Sequence, residues 1–279
     1  MDRSVGSVAD MPELDAVAST LYSPLFARAH AVEYAPRAGF ADPVAVELLA
    51  RAGATASKML TGRTDVAGAV WRAALIDGLA GRFCRRHPHG TVVSAGIGLC
   101  TRRQRLGDSV PDTVTWVGVD VAAVVELRRA ELPDDPTTLV ATSVGERTWA
   151  DHVPVRVCAA GTPVLVIAEG VLMYLERGEV TAFFAAARAR FGAGTEVLAD
   201  YFHPHVALGG RHPITRTGVT FRSGARNGRS LPGDDTGWTL DAEHDVMGRL
   251  SPAYRAAATA FRLATAGGRA YSIAHLVAS

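Results

Sequence analysis

The sequence predicts an α/β fold, a doubly wound and mostly parallel sheet with helices on both faces. Two observations lead there. Short apolar runs alternate with helical patterns from Thr91 to Asp200, the order that parallel strands impose because each pair needs a crossover helix. The runs are apolar at consecutive positions, as in VV (92–93) and VLVIA (164–168), which suits strands covered on both faces.

The elements follow in order. Residues 1–10 read as a frayed terminus. Leu14, Val17, Leu21 and Leu25 recur at helical spacing, so a helix is expected from Met11 to about Phe26, bent or ended by Pro24. Asp42-Pro43 supplies an N-cap and a first-turn proline for a helix through Ala54. A longer helix is expected from about Asp65 to Cys84, with Val70, Ala74, Ile76 and Leu79 as its apolar positions. The stretch His87-Pro88-His89-Gly90 stops it.

Strands are then expected at 91–95, 114–119, 139–143, 164–168 and 195–200, with helices at 100–106, 122–131 and 177–191 and a loop or helix at 146–153. After Asp200 the periodicity loosens. Residues 203–236 hold prolines, glycines and arginines without a steady pattern, which reads as a loop, cap or lid. RAYSIAHLV (269–277) reads as a last, antiparallel strand. The organisation expected is an N-terminal helical cap over 1–86 and a sheet domain over 87–279, with the lid at about 203–250.

Composition excludes several classes. With 48% hydrophobic and 20% charged residues among 279, the chain has ample material for a core. Its 29 basic and 28 acidic residues leave a net charge of +1, so no broad positive field favours a nucleic-acid partner. Cys84, Cys100 and Cys158 are too few and scattered for a disulfide framework or a tetrahedral zinc site. Reduced thiols and no metal are expected. The first residues carry acids and no apolar core, and no run reaches the ~18 apolar residues that span a bilayer. A cytoplasmic protein without a membrane partner is the expectation. Oligomeric state has no signal here, and a homodimer stays open.

One stretch organises the chemistry. TVVSAGIGLCTRRQR (91–105) reads as a buried strand, a glycine turn at Gly96 and Gly98, and an arginine-rich helix. Asp120 ends the next strand 22 positions beyond Gly98. A glycine turn with a distant acid can hold a nucleoside, the backbone against one end and the carboxylate on the ribose hydroxyls. The dinucleotide fingerprint wants a third glycine where Thr101 stands. That substitution suits a nucleoside with a short amino-acid tail better than a pyrophosphate.

The ordered set AGIGLCTR (95–102), VGVDVAAVVELRR (117–129), AEGVLMYL (168–175) and LADYF (198–202) resembles the leucine carboxyl methyltransferase superfamily. Within it, the set resembles the bacterial polyketide (tetracenomycin-type) carboxyl O-methyltransferases. Ala27-Arg28-Ala29, Asp42-Pro43, Arg72 and Asp77 extend the likeness upstream. The resemblance implies a class I, Rossmann-like fold with a seven-stranded sheet, S-adenosylmethionine (SAM) as methyl donor, and a small-molecule acceptor, a carboxylate of secondary metabolism. It implies that Arg72 grips the SAM carboxylate and that Ala95, Gly96 and Gly98 pass under the methionine portion. Asp120 and the neighbouring Val121 would meet the ribose, Ser143 and Val144 the adenine, and Glu169 the amino group and sulfonium.

Two positions depart from the family pattern. Cys100 stands where aspartate is usual in the G-x-G-x-D-T-R run, and Ser143-Val144 stands where Asp-Leu is usual. A neutral serine should hold the adenine amino group more weakly than a carboxylate. These changes keep open a use of SAM other than methylation, or binding without catalysis. Cys100 is otherwise read as a small buried thiol.

Candidate catalytic residues are Tyr174, one turn beyond Glu169, and Tyr201 and His203 after the fifth strand. The last two, with His205, would be bases if the acceptor were a hydroxyl. Arg102, Arg103 and Arg105 are expected to form a solvated helix face. Arg211, Arg216, Arg222 and Arg226 are read as lid residues able to attract an anion.

Overall fold

The computed structural model describes residues 12–52, 62–155, 158, 161–208, 220–233 and 237–279. Four helices precede the sheet: α1 (Pro12–Ala29), α2 (Ala31–Tyr34), α3 (Pro43–Ala52) and α4 (Arg63–Arg86). Pro24 lies inside α1 and does not end it. Asp42 caps α3 as the sequence suggests, its Oδ1 accepting the Ala45 N–H at 3.0 Å. The expected end of that helix at Ala54, the frayed residues 1–10 and the lid arginines Arg211 and Arg216 lie outside the described residues.

The alternation of strand and helix is present: β1 (Thr91–Ala95), α5 (Arg102–Leu106), β2 (Thr115–Asp120), α6 (Ala122–Glu131), β3 (Thr138–Ala141), β4 (Val164–Ala168), α7 (Arg177–Phe191) and β5 (Glu196–Phe202). A short α8 (Pro204–Ala207), then β6 (Trp238–Asp245), α9 (Pro252–Ala264) and β7 (Tyr271–Ala278) complete the chain. The seven strands form one sheet in the order β3-β2-β1-β4-β5-β7-β6. The pairs among β1 to β5 are parallel, and β7 runs antiparallel between β5 and β6. The sheet order turns back at β1, between β2 and β4, so a crevice opens there at the carboxyl ends of the strands.

Side chains alternate across the sheet into two cores. Val93, Val117 and Val166 face α7, where Trp149 stacks on Phe183 with ring centres 4.9 Å apart. Val92, Leu165 and Ile167 face Ile76, Leu79 and Phe83 of α4.

The short α8 and the strand β6 lie within the stretch expected to be a lid at 203–250, the helix α9 follows it, and the sequence pattern announces none of the three. Residues 238–245 are the edge strand β6, and the helix α9 begins just after residue 250. WTLDAEHD carries few β-branched residues and three acids, because an edge strand pairs on one side only and must keep its other side wet. A register shift at Leu240/Ala242 breaks its alternation further. The helix α9 has a readable start, the Ser251 hydroxyl accepting the Tyr254 N–H at 3.2 Å ahead of Pro252.

Candidate active site

A cavity of about 270 Å³ lies at the carboxyl ends of β1, β2 and β4, where the strand order turns back. Its walls include Arg72, Ala95, Gly96, Gly98, Asp120, Val121, Ser143, Val144, Glu169 and Tyr174. All nine residues expected at the cofactor, together with Tyr174, are therefore brought together. Tyr201 and His203 do not line it.

The glycine turn is shaped by close approach. Gly96 has φ +71°, and a Cβ there would lie 2.3 Å from Val171 Cγ2. Gly98 has φ +48°, and its Cβ would lie 2.9 Å from Leu21 Cδ2. Side chains at both positions would collide and would sit in a left-handed conformation. Asp120 fastens the turn to the second strand: Oδ2 accepts the Gly98 N–H at 2.8 Å and Oδ1 the Val121 N–H at 2.9 Å. Burial raises its carboxyl above the ordinary value against those two donors.

Behind the turn lies a network of buried charge. Arg72 Nε donates to Glu169 Oε1 at 3.0 Å, and its Nη1 donates to Asp200 Oδ2 at 3.1 Å. Tyr271 donates its hydroxyl to the same Asp200 oxygen at 3.0 Å. Arg102 joins Glu169 Oε2 to Asp77 Oδ1. Arg105 joins Asp77 to Asp42, and Arg28 reaches Asp42 Oδ2 at 3.0 Å. Four arginines thus alternate with Asp42, Asp77, Glu169 and Asp200, tying the helices α1 and α4 to the turn and to the ends of β4 and β5.

Three expectations change here. Arg102 is only 2% exposed and Arg105 is likewise buried, so α5 does not present them to solvent. Each is neutralised by carboxylates, without which burial would be prohibitive. Tyr201 is in the core, its hydroxyl donating to Glu243. His203 caps α8, its Nδ1 accepting the His205 N–H at 3.3 Å, and packs edge-on against Phe261. The alternating pleat explains Tyr201: Asp200 and Phe202 point to one face and Tyr201 to the other.

The sequence reading missed the network roles of Arg28, Asp42 and Tyr271. Asp42 had an unused signal, since a proline-flanked cap leaves one carboxylate oxygen free for a second partner. Tyr271 had none.

The titratable groups on the cavity wall are constrained. Burial raises the Glu169 carboxyl, but the Arg102 and Arg72 guanidiniums outweigh it and hold it at about 2. Burial pushes the Tyr174 phenol up to about 12. Among the described lining residues there is no histidine, and no metal-binding cluster occurs among the described residues.

These features fit SAM. A carboxylate ends the second strand for a vicinal diol, Val121, Val124, Val144 and Leu175 offer an apolar slot for a base, and Arg72 stands ready for a carboxylate. The fold and site define a class I SAM-dependent methyltransferase. The leucine carboxyl methyltransferase family model matches residues 22–188. The tetracenomycin polyketide synthesis O-methyltransferase TcmP of Streptomyces glaucescens is 34% identical over 221 residues, 78% of each chain. A solved protein of Thermobifida fusca described as a methyltransferase superposes with a TM-score of 0.57 at 17% identity, covering 98% of this chain and 99% of that one. The chain belongs to the leucine carboxyl methyltransferase family, and it is a SAM-dependent O-methyltransferase of small molecules.

Proposed function

We propose that the acceptor oxygen is a carboxylate, on an aromatic acid of polyketide origin, as the relationship to a polyketide O-methyltransferase suggests. One observation carries the choice of carboxylate. The described cavity wall holds no histidine, its tyrosine is kept protonated at about 12, and its glutamate is locked between two guanidiniums. A hydroxyl acceptor wants a base, and the wall's other titratable groups are Asp120, whose two oxygens accept the Gly98 and Val121 N–H groups, and the half-buried thiol of Cys100. A carboxylate has a reference pKa of about 4 and arrives ionised.

SAM supplies an electrophilic methyl on a sulfonium. The chain's residues do the rest by placement. Asp120 meets the ribose hydroxyls, and Gly96 and Gly98 let the backbone lie close to the methionine portion. Arg72 directs its remaining guanidinium face to the amino-acid carboxylate, and Ser143 with Val144 borders the adenine. Glu169 contributes negative charge near the sulfonium, and Tyr174 closes the acceptor side against water. In-line placement and exclusion of water are the expected sources of rate. Three unpaired thiols suit a reducing, cytoplasmic setting.

The test is S-adenosylhomocysteine release with matched aromatic acids and phenols. Methyl esters should form at a rate nearly flat from pH 6 to 9, roughly two units or more above a carboxylate's pKa. Phenol methylation with a rate climbing through the same range would overturn the carboxylate.

A further inference from the structure

Tyr271 opens β7, far in sequence from the glycine turn, yet its hydroxyl ends beside Arg72. In the antiparallel register it lies directly opposite Phe202 of β5, with Asp200 two residues earlier on the same face. The opposite pair stacks, ring centres 4.1 Å apart and planes at 7°. From there the hydroxyl reaches diagonally across the pair and donates to Asp200 Oδ2 at 3.0 Å. The hydroxyl oxygen in turn accepts from Arg72 Nη1 at 3.2 Å. Donor and acceptor are both spent on Arg72 and its partner. Burial pushes the Tyr271 phenol well up, against the Arg72 guanidinium, so the hydroxyl keeps the proton it donates.

This contact decides how Arg72 can be used. Its Nε is held by Glu169 and its Nη1 by Asp200 and Tyr271, while Nη2 has no hydrogen-bond partner among the described residues. Arg72 lines the main cavity. Glu169 is shared with Arg102. Asp200 is shared with the Tyr271 hydroxyl and with the Gly170 N–H, which donates to Oδ1 at 2.6 Å. Neither carboxylate is spent on Arg72 alone, so the guanidinium keeps a nitrogen and positive charge for a third carboxylate. A guanidinium meets a carboxylate in its own plane. Glu169, Asp200 and Tyr271 are the three points that set that plane.

We propose that Tyr271 is a positioning residue for methyl transfer, whose hydroxyl holds the Arg72 guanidinium at the angle that grips the carboxylate of SAM. The assignment rests on Arg72 meeting that carboxylate. Tyr271 touches neither the methyl nor the acceptor oxygen; it acts through Arg72.

The experiment titrates two probes calorimetrically into the full chain: S-adenosylhomocysteine, and S-adenosylthiopropylamine, which is the same molecule without its carboxylate. The wild-type chain should prefer the first. In Tyr271→Phe, which keeps the ring and its stack, S-adenosylhomocysteine should bind about tenfold more weakly, as for a lost hydrogen bond to a charged group. The decarboxylated probe should change by less than about twofold, since it makes no contact with Arg72 to lose. In methyl transfer, KM for SAM should rise in step, with kcat at saturating SAM and KM for the acceptor unmoved. Tyr201→Phe removes another buried hydroxyl, the one that donates to Glu243, and should leave the preference intact. An undiminished preference in Tyr271→Phe would overturn the positioning role while the Arg72 reading stands. So would equal weakening of both probes, or the same loss of preference in Tyr201→Phe, the marks of a merely structural hydroxyl. A wild-type chain that binds both probes alike would overturn the reading of Arg72, and the role of Tyr271 with it.

Discussion

On the side of the glycine turn, the cavity wall is backed by charge: four buried arginines and four carboxylates link α1, α4, α5 and the ends of β4 and β5. On the side of Tyr174 the backing is aromatic. Tyr174 packs on Phe221 at 5.4 Å, Phe221 stacks on Phe202 at 5.0 Å, and Phe202 stacks on Tyr271 at 4.1 Å and 7°. Tyr271 joins the two, since its hydroxyl reaches Asp200 and Arg72. The charged wall is fixed by directional bonds with fixed partners, which suits a ligand whose atoms never change. The aromatic wall is held by surface contact between rings, which tolerates reshaping.

Three substitutions break or sharpen this contrast, in descending size. Glu169→Ala leaves Arg72 and Arg102 without their shared carboxylate, and a broken buried pair costs about 3–5 kcal/mol. Denaturant unfolding should show that loss. The same carboxylate gives the protein an acid limit. Its pKa falls from 4.5 to about 2 on folding, so its contribution is whole above pH 4.5 and is lost as the pH falls toward 2. Asp42, whose carboxyl the Arg105 and Arg28 guanidiniums hold low against burial, works in the same direction.

Phe221→Leu removes two ring contacts on the aromatic wall. Each is worth about 0.5–1.5 kcal/mol, so kcat/KM for the acceptor should drop about tenfold. S-adenosylhomocysteine affinity should stay within about twofold, because none of the charged network is touched. A matched loss of both would show that the walls are not separate. Ser143→Asp is the smallest change. Restoring a charged acceptor beside the adenine should tighten S-adenosylhomocysteine by roughly 0.5–1 kcal/mol in a calorimetric titration. No gain would place the adenine elsewhere.

The contrast also explains what the sequence disclosed. The parallel core was legible because strands such as VLVIA (164–168) are apolar at every position, and α7 begins and ends where its pattern does. The cavity wall was legible because Gly96 and Gly98 turn the chain at the end of one apolar strand and Asp120 ends the next, and both strand ends border one cavity. The edge strand β6 was not, since a one-sided strand with a register shift loses its period. Nor were buried Arg102 and Arg105 legible. An arginine cluster on a helix looks solvated until tertiary structure brings Asp42, Asp77 and Glu169 to it from three distant segments. Tyr201 and His203 were misplaced by adjacency: closeness in sequence to the end of β5 does not say which face a side chain takes.

The proposal stands on Asp120 holding the ribose of SAM, with the glycine turn against the methionine portion, in the cavity at the carboxyl ends of β1, β2 and β4. Calorimetric titration of S-adenosylhomocysteine into the full chain and its Asp120→Ala variant tests it most directly. One saturable site is expected, weakened in the variant by about 3 kcal/mol, roughly 100-fold, as two charge-assisted hydrogen bonds are lost. Equal affinity in the two proteins, with the variant folded, would contradict the account.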